Sequence, residues 1–133
     1  MTGVQTCALP IRIVVSVDAR RGRAAAAGWT QQSDMLAEEA LRELAAYGVT
    51  QFVYSSIERD GMLEGPDAEE VARVCAVVPE AGIVYSGGIA SASDLAALAR
   101  LRLPALRGVI VGTALFEDRL TVSAGQAALD GAQ

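Results

Sequence analysis

Short apolar runs alternate with longer amphipathic stretches along this chain from residue 12 onward. The short runs are rich in Val and Ile and stop at glycine or polar residues, which predicts strands at residues 13–17, 51–55, 83–86 and 108–111. The longer stretches predict helices at residues 33–47, 67–77, 91–101 and 121–129. Because each strand is followed by a helix, the sequence predicts an α/β fold with a parallel sheet.

The predicted helices begin at residues that commonly cap helices. Ser33-Asp34 resembles an N-cap, and a serine opens the third helix. Asp67 caps the second helix, with Glu70 in the capping-box position. The segment between the first strand and the first helix is predicted as a long loop.

Four strand–helix units fit either an open sheet or half of an eight-stranded (β/α)8 barrel. A whole barrel needs about 250 residues, and this chain has 133. Half a barrel would leave its first and last strands as open edges, so we expect the chain to self-associate through them.

The first eleven residues show no helical or strand period and stand outside the repeat. Residues 2–11 match the translation of a widely used sequencing adapter over ten consecutive codons. We therefore expect a non-native segment at residues 1–11 and a half-barrel at residues 12–133 of a truncated gene fragment.

The amino-acid composition excludes several classes of binding partner and of catalytic site. The net charge of −5 and the absence of a basic run argue against nucleic acid or an anionic membrane as a partner. No apolar stretch is long enough to span a membrane, and the N-terminus lacks signal-peptide features, so we expect a cytoplasmic protein. The sequence has no histidine and no lysine, which excludes histidine-based triads and Schiff-base chemistry. Acid–base catalysis must then fall to carboxylates, hydroxyls or tyrosine.

Two of the predicted strands end at glycines that could expose backbone N–H groups to a ligand. Gly87-Gly88 follows the third strand, and Gly112-Thr113 follows the fourth. Neighbouring strand ends of this kind bind phosphate without a lysine. Glycine also permits a tight strand-to-helix turn, and that alternative stays open.

Five motifs, in this order, carry a family resemblance. Asp18 ends the first predicted strand, and Gly28-Trp29 lies in the loop that follows. The string SSIERDGML begins at Ser55 and is followed by GPD; SGGI begins at Ser86, and GVIVGTAL begins at Gly108. From residue 12 to about residue 128, the chain resembles the C-terminal half of the HisA family, the ProFAR isomerases of histidine biosynthesis.

The resemblance implies a fold and a reaction. The four units would be units five to eight of a ribulose-phosphate-binding TIM barrel. The reaction would be the Amadori rearrangement of the aminoaldose ProFAR, a doubly phosphorylated ribotide, to the aminoketose PRFAR. It requires no metal or redox cofactor. The related HisF cyclase shares the SIERDG string, and a dual-substrate isomerase is a second alternative, although Ala27 stands where that variant has an arginine.

The resemblance also assigns roles to residues. Asp18 matches the family's general acid, and Ser55 stands where a threonine hydroxyl assists that acid. The phosphate site maps onto the residues Gly87, Gly88, Gly112 and Thr113.

Three further residues have weaker assignments. Trp29 would stack on the imidazole carboxamide, or else pack in its loop. Asp60 would orient substrate, or else form an Asp-Gly turn. Arg20 would attract the phosphates, or else belong to a solvated charge run.

The resemblance leaves part of the enzyme outside this chain. The family's catalytic base lies on the first barrel strand, and its second phosphate site lies on strands three and four. We therefore expect the fragment to be inactive alone. A phosphate-binding half-barrel without catalysis is a further alternative. A flavodoxin-like receiver domain is disfavoured because it needs a neighbouring acidic pair and a lysine.

Overall fold

The computed structural model describes residues 12–26 and 31–131 as strands and helices joined by short connections. The strands are β1 (Val15–Arg20), β2 (Arg23–Ala26), β3 (Gln31–Leu36), β4 (Gln51–Ser56), β5 (Gly82–Ser86) and β6 (Leu106–Ile110). The helices are α1 (Ala37–Ala46), α2 (Ala68–Val77), α3 (Ala92–Arg100), α4 (Thr113–Phe116) and α5 (Val122–Gly131). Trp29 and the segment 1–11 lie outside the described residues.

The strands form one sheet in the order β3-β2-β1-β4-β5-β6. Strands β1, β4, β5 and β6 run parallel, which confirms the predicted α/β fold with a parallel sheet. Strands β2 and β3 pair antiparallel beside β1. The prediction that the first strand is an open edge of the sheet is wrong, because β2 pairs with β1 at Ala19 and Arg20 and β3 is the outermost strand on that side.

The predicted long loop after the first strand is wrong, because it contains a strand pair. Arg21 and Gly22 have φ angles of 53° and 78°, which is the backbone that a tight two-residue hairpin turn requires. Strand β1 also runs past Asp18 to Arg20 instead of ending at Asp18.

The predicted N-cap at Ser33-Asp34 is wrong as well, because both residues lie in β3. The Asp34 carbonyl accepts from Arg23 Nη1 at 2.7 Å, which ties β3 to β2. Helix α1 begins at Ala37 instead, and the Leu36 N–H donates to Glu39 Oε2 at 3.3 Å.

The other two caps are where the sequence predicts them. Asp67 Oδ1 accepts from the Glu70 N–H at 3.0 Å and begins α2. Ser91 Oγ accepts from the Asp94 N–H at 3.4 Å, while Asp94 Oδ2 accepts from the Ser91 N–H at 3.1 Å. The Glu70 side chain points into the core, where its carboxylate accepts from the Tyr54 hydroxyl.

One face of the sheet packs against the helices and forms the core. Along β4 the buried residues Phe52, Tyr54 and Ser56 alternate with half-buried ones. Helices α1, α2 and α3 bury residues such as Leu41, Val74 and Leu98 against this face. Burial also raises the pKa of the Cys75 thiol to about 11, which keeps it protonated and inert.

The opposite face of the sheet is more open. It carries the alternate residues of the parallel strands, and Ile110 on β6 is 45% exposed there. Among the residues that the structure describes, no helix is long and apolar enough to cross a membrane.

Candidate functional site

A row of side chains crosses the open face near the carboxyl ends of the parallel strands. Asp18 on β1 is the Cα partner of Ser55 on β4, and Ser55 is the partner of Ser86 on β5. Ser86 in turn pairs with Ile110 on β6. All four strands run in the same direction, so this row lies at the edge where parallel α/β sheets hold ligands.

Asp18 and Ser55 are therefore neighbours, as the sequence predicts for two residues at adjacent strand ends. Both are half-buried, and the Ser16 hydroxyl donates to Asp18 Oδ1 at 3.1 Å. A hydroxyl on the same strand thus holds one carboxylate oxygen of Asp18. Proton transfer from Asp18 to a ligand over this row is chemically reasonable, with Ser55 as a second donor.

A small cavity of about 50 Å³ lies beside this row, on the β5–β6 side. Its lining includes every residue of the predicted phosphate site together with Asp60 and Ser86: Asp60, Ser86, Gly87, Gly88, Gly112 and Thr113. A Cβ on Gly61 would lie 3.5 Å from Thr113 Oγ1, so the loop after β4 reaches across to α4. The cavity and the Asp18–Ser55–Ser86 row meet at Ser86.

The two glycines of the β5 turn are required by their surroundings. Gly87 and Gly88 have φ angles of 139° and 77°, which disfavour any other residue. A Cβ on Gly88 would lie 2.5 Å from the Gly65 carbonyl oxygen. The Gly65 N–H donates to the Gly88 carbonyl at 2.8 Å, which fastens the β4 loop to the β5 turn.

Gly112 differs from these two glycines. Its φ of −121° lies outside the left-handed region, and a Cβ built on it would meet nothing within 4 Å. Crowding therefore does not explain a glycine here. An uncovered backbone at the rim of the cavity is what close approach by a ligand would use.

The loop after β4 is held in an unusual conformation at the cavity. Asp60 and Gly61 form a turn in which Gly61 has a φ of 75°, so the Asp-Gly turn predicted as one alternative is present. Leu63, which also lines the cavity, has a φ of 55°. Arg59 Nη1 donates to the Gly65 carbonyl at 2.8 Å. A non-glycine residue in the left-handed region is strained, and such strain clusters at ligand sites.

One predicted ligand residue, Arg20, is not among the described residues that line this cavity. Arg20 ends β1 and pairs with Arg23 of β2, away from the cavity lining. Trp29 lies outside the described residues. Glu58, which the sequence did not single out, accepts from the Arg21 N–H at 3.1 Å through both carboxylate oxygens.

Ser86 lies in this row and lines the cavity, although sequence reasoning left it unassigned. Because β4 and β5 pair in register, Ser86 stands at the same strand-end position on β5 as Ser55 does on β4. Aligning the last residues of the predicted strands with one another would have placed Ser86 beside Ser55. Among the described residues, no group of three or more His, Cys, Asp or Glu side chains could hold a metal ion.

Comparison with known proteins identifies the family to which this chain is similar. The model of a family described as histidine biosynthesis protein matches residues 6–121. The match begins inside the segment 2–11, whose adapter origin stays a prediction.

Several curated relatives share the same name, 1-(5-phosphoribosyl)-5-((5-phosphoribosylamino)methylideneamino) imidazole-4-carboxamide isomerase. The relative from Prochlorococcus marinus strain MIT 9312 is 38% identical over 86% of this chain and 44% of its own length. The relative from Halothermothrix orenii is 44% identical over 82% of this chain and 44% of its length. The relative from Rubrobacter xylanophilus is 43% identical over 90% of this chain and 47% of its own length. The chain thus spans slightly less than half the length of these relatives.

Proposed function

Because this chain belongs to the histidine biosynthesis protein family, we propose that it supplies the carboxyl-terminal half of a (β/α)8-barrel isomerase. The proposed reaction is the Amadori rearrangement of ProFAR to PRFAR, in keeping with the name of the relatives. The observation that carries the proposal is the Asp18–Ser55–Ser86 row, which leads into the glycine-lined cavity at one edge of the sheet.

The row provides half of the required acid–base chemistry. Asp18 donates its proton to the ribose ring oxygen as the ring opens, and Ser55 hydrogen-bonds beside it. The proton at C2′ must then be removed by a second group. In the proposed barrel this base comes from the other half, so the chain alone is expected to be inactive.

The glycine-lined cavity would take one phosphate of the substrate. Gly87, Gly88 and Gly112 let the phosphate approach the backbone closely, and Thr113 offers a hydroxyl. Asp60 lines the same cavity and would orient the substrate or this loop. Arg20 and Trp29 would act on the substrate from the rim, a role that stays a prediction for both.

The proposed enzyme needs no cofactor, works in the cytoplasm and has an unpaired sheet edge in this half. The reaction needs neither a metal nor a redox cofactor, since both hydrogen transfers are proton transfers. We place the enzyme in the cytoplasm. The chain by itself is expected to pair with another copy through its open sheet face and the β6 edge.

Complementation tests this proposal. Residues 12–133 would be co-expressed with the N-terminal half of a relative isomerase in cells that lack the enzyme. Growth without histidine is the expected result, and Asp18→Asn should abolish it, with a loss of kcat of about 10²–10⁴-fold in the purified pair. Glu80→Gln, the same acid-to-amide change at an exposed residue before β5, is the matched control and should leave growth unchanged.

The outcomes separate the alternatives. Growth that survives Asp18→Asn would contradict the acid role. Restored cyclase function with a HisF N-terminal half, and none with the isomerase half, would favour the cyclase. Phosphate binding without turnover in any pair would leave a non-catalytic half-barrel.

A further inference from the structure

Three consecutive charged residues after β4 reach different parts of the molecule. Glu58 accepts from the Arg21 N–H in the β1–β2 turn, and Asp60 lines the glycine-lined cavity. Arg59 lies between them, is half-buried, and is not among the described residues that line the cavity. The proposed reaction assigns a role to Asp60 and none to Arg59.

The Arg59 side chain closes the loop that follows β4. Its Nη1 donates to the Gly65 carbonyl at 2.8 Å, which joins the two ends of the segment 59–65. The donor is a cation, so this bond is stronger than one between two neutral groups. Because the acceptor is a backbone oxygen, the bond fixes the path of the loop itself.

The closed loop is also fastened to the β5 turn. The Gly65 N–H donates to the Gly88 carbonyl at 2.8 Å, so both polar backbone groups of Gly65 are engaged. The three residues are in close contact, because a Cβ on Gly88 would lie 2.5 Å from the Gly65 carbonyl oxygen and 3.3 Å from Arg59 Cβ. We call Arg59, Gly65 and Gly88 the loop clasp.

The loop needs such a clasp because part of its backbone is strained. Leu63 has a φ of 55°, which is an unfavourable conformation for a residue with a side chain. Leu63 and Gly61 both line the cavity, and a Cβ on Gly61 would lie 3.5 Å from Thr113 Oγ1. A loop that relaxed this strain would withdraw from the cavity, so the wall that it forms depends on the loop clasp.

We propose that Arg59 is a positioning residue that holds the β4 loop against the β5 turn and so preforms the phosphate cavity without contacting the phosphate. The same loop carries Asp60 and Leu63 along the cavity, so loss of the clasp would displace part of the lining. A preformed site binds more tightly because its groups need no ordering on binding. The consequence for phosphate rests on the proposed function, whereas the loop clasp itself does not.

Hydrogen exchange on the full chain without ligand measures the loop clasp. Arg59→Met removes the donor and the charge but keeps a long unbranched side chain. The expected result is about tenfold faster exchange of the Gly65 amide, with the amides of Val53 and Val84 in the sheet unchanged. An unchanged Gly65 amide would overturn the proposal. Equal acceleration in the sheet would also overturn it, because Arg59 would then stabilise the whole fold.

Arg107→Met is the matched control, because it removes a bond of the same kind elsewhere in the chain. Arg107 Nε donates to the Pro104 carbonyl at 3.0 Å, near the amino end of β6. The Gly65 amide should exchange at the wild-type rate in this variant. Acceleration equal to that in Arg59→Met would mean that the loss of any such arginine bond loosens the loop, which would contradict the clasp.

Arg59→Lys separates the charge from the hydrogen bond. The lysine side chain is shorter, so its ammonium keeps the charge but withdraws from the Gly65 carbonyl. We expect the Gly65 amide to exchange at least about fivefold faster than in the wild type. This variant also serves if Arg59→Met does not fold. Wild-type exchange in every folded variant would overturn the proposal.

Inorganic phosphate tests the consequence for the cavity. Arg59→Met should weaken phosphate binding about fivefold, and the ratio of its dissociation constant to that of the wild type should be the same at low and high salt. A charge that attracted phosphate directly would give a ratio that falls as salt screens it. A falling ratio would overturn the positioning role. Wild-type phosphate affinity in Arg59→Lys alongside faster Gly65 exchange would overturn it too.

Two further results keep this proposal and the proposed function apart. Failure of the wild type to bind phosphate would count against the proposed function, while the ligand-free exchange of the Gly65 amide would still decide the loop clasp. In the purified pair of half-barrels, Arg59→Met should raise KM about fivefold and leave kcat nearly unchanged, because the phosphate takes no part in the proton transfers. A fall in kcat with KM unchanged would place Arg59 at the reacting atoms and overturn the positioning role.

Discussion

Ser55 occupies the middle of the strand-end row, between a carboxylate and a second hydroxyl. Its Cα partners are Asp18 on one side and Ser86 on the other. A serine hydroxyl rotates more freely than that of a threonine, whose extra methyl restricts the side chain. In the proposed mechanism, Ser55 would therefore offer the acid a hydrogen bond with less preorganisation than threonine would give.

Replacement of Ser55 tests that role in the purified pair of half-barrels. Ser55→Ala should lower kcat about tenfold or more, because it removes a hydrogen bond to a charged group. Ser55→Thr should retain activity because it keeps the hydroxyl. Ser123→Ala on α5 is the control for loss of an exposed hydroxyl. An unchanged kcat in Ser55→Ala would remove Ser55 from the mechanism.

At the scale of elements, the contact between Glu58 and the β1–β2 turn links two loops at the same edge of the sheet. Both Glu58 oxygens lie 3.1 Å from the Arg21 N–H. Arg21 has a φ of 53°, so the turn adopts an unfavourable backbone for a non-glycine residue. The carboxylate compensates that strain and holds the turn against the β4 loop.

Hydrogen exchange measures how firmly the turn is held. Glu58→Ala should speed exchange of the Arg21 amide about tenfold, because the amide loses its acceptor and the turn opens more often. Glu64→Ala, in the same loop and exposed, should leave that amide unchanged. Equal exchange rates in the two variants would mean that the contact does not hold the turn.

The elements differ in how far the sequence predicts them. Strands β1, β4, β5 and β6 are local runs of Val, Ile and aromatic residues, and a strand preference of that kind is visible without the fold. Strands β2 and β3 have the sequences RAAA and QQSDML. They lack that preference and form by pairing beside β1, which no local pattern encodes.

The same distinction applies to the site. The residues at strand ends were predictable, because a general rule places them at one edge of a parallel sheet. Glu58 was not, since its carboxylate accepts from the N–H of Arg21, which lies 37 residues away in sequence. The place of the Glu70 side chain was not predictable either, because its capping-box position predicts a bond to the helix backbone, whereas its carboxyl group accepts from Tyr54 in the core.

At the scale of the whole molecule, the sheet is covered on one face only. Val53 and Val84 on the open face are half-buried, and Ile110 is 45% exposed. Exposed apolar surface beside an unpaired strand edge favours association.

Light scattering coupled to size exclusion tests association. The expected mass exceeds the 13.8 kDa of one chain and falls on dilution. Ile110→Lys should weaken association at least fivefold, because it places a charge in the apolar contact. Val122→Lys, at a 74% exposed valine on α5, is the control. A single-chain mass at every concentration would contradict self-association.

The contrast between Gly88 and Gly112 has a consequence for sequence tolerance. Any side chain at position 88 would press against the Gly65 carbonyl, whereas one at position 112 would meet open space. A library randomised at both positions and sorted only for folded protein should return glycine at 88 and a mixture at 112. The same library selected for growth in the complementation strain should return glycine at both. Glycine at position 88 would then be required for folding, and glycine at position 112 would be required for ligand binding.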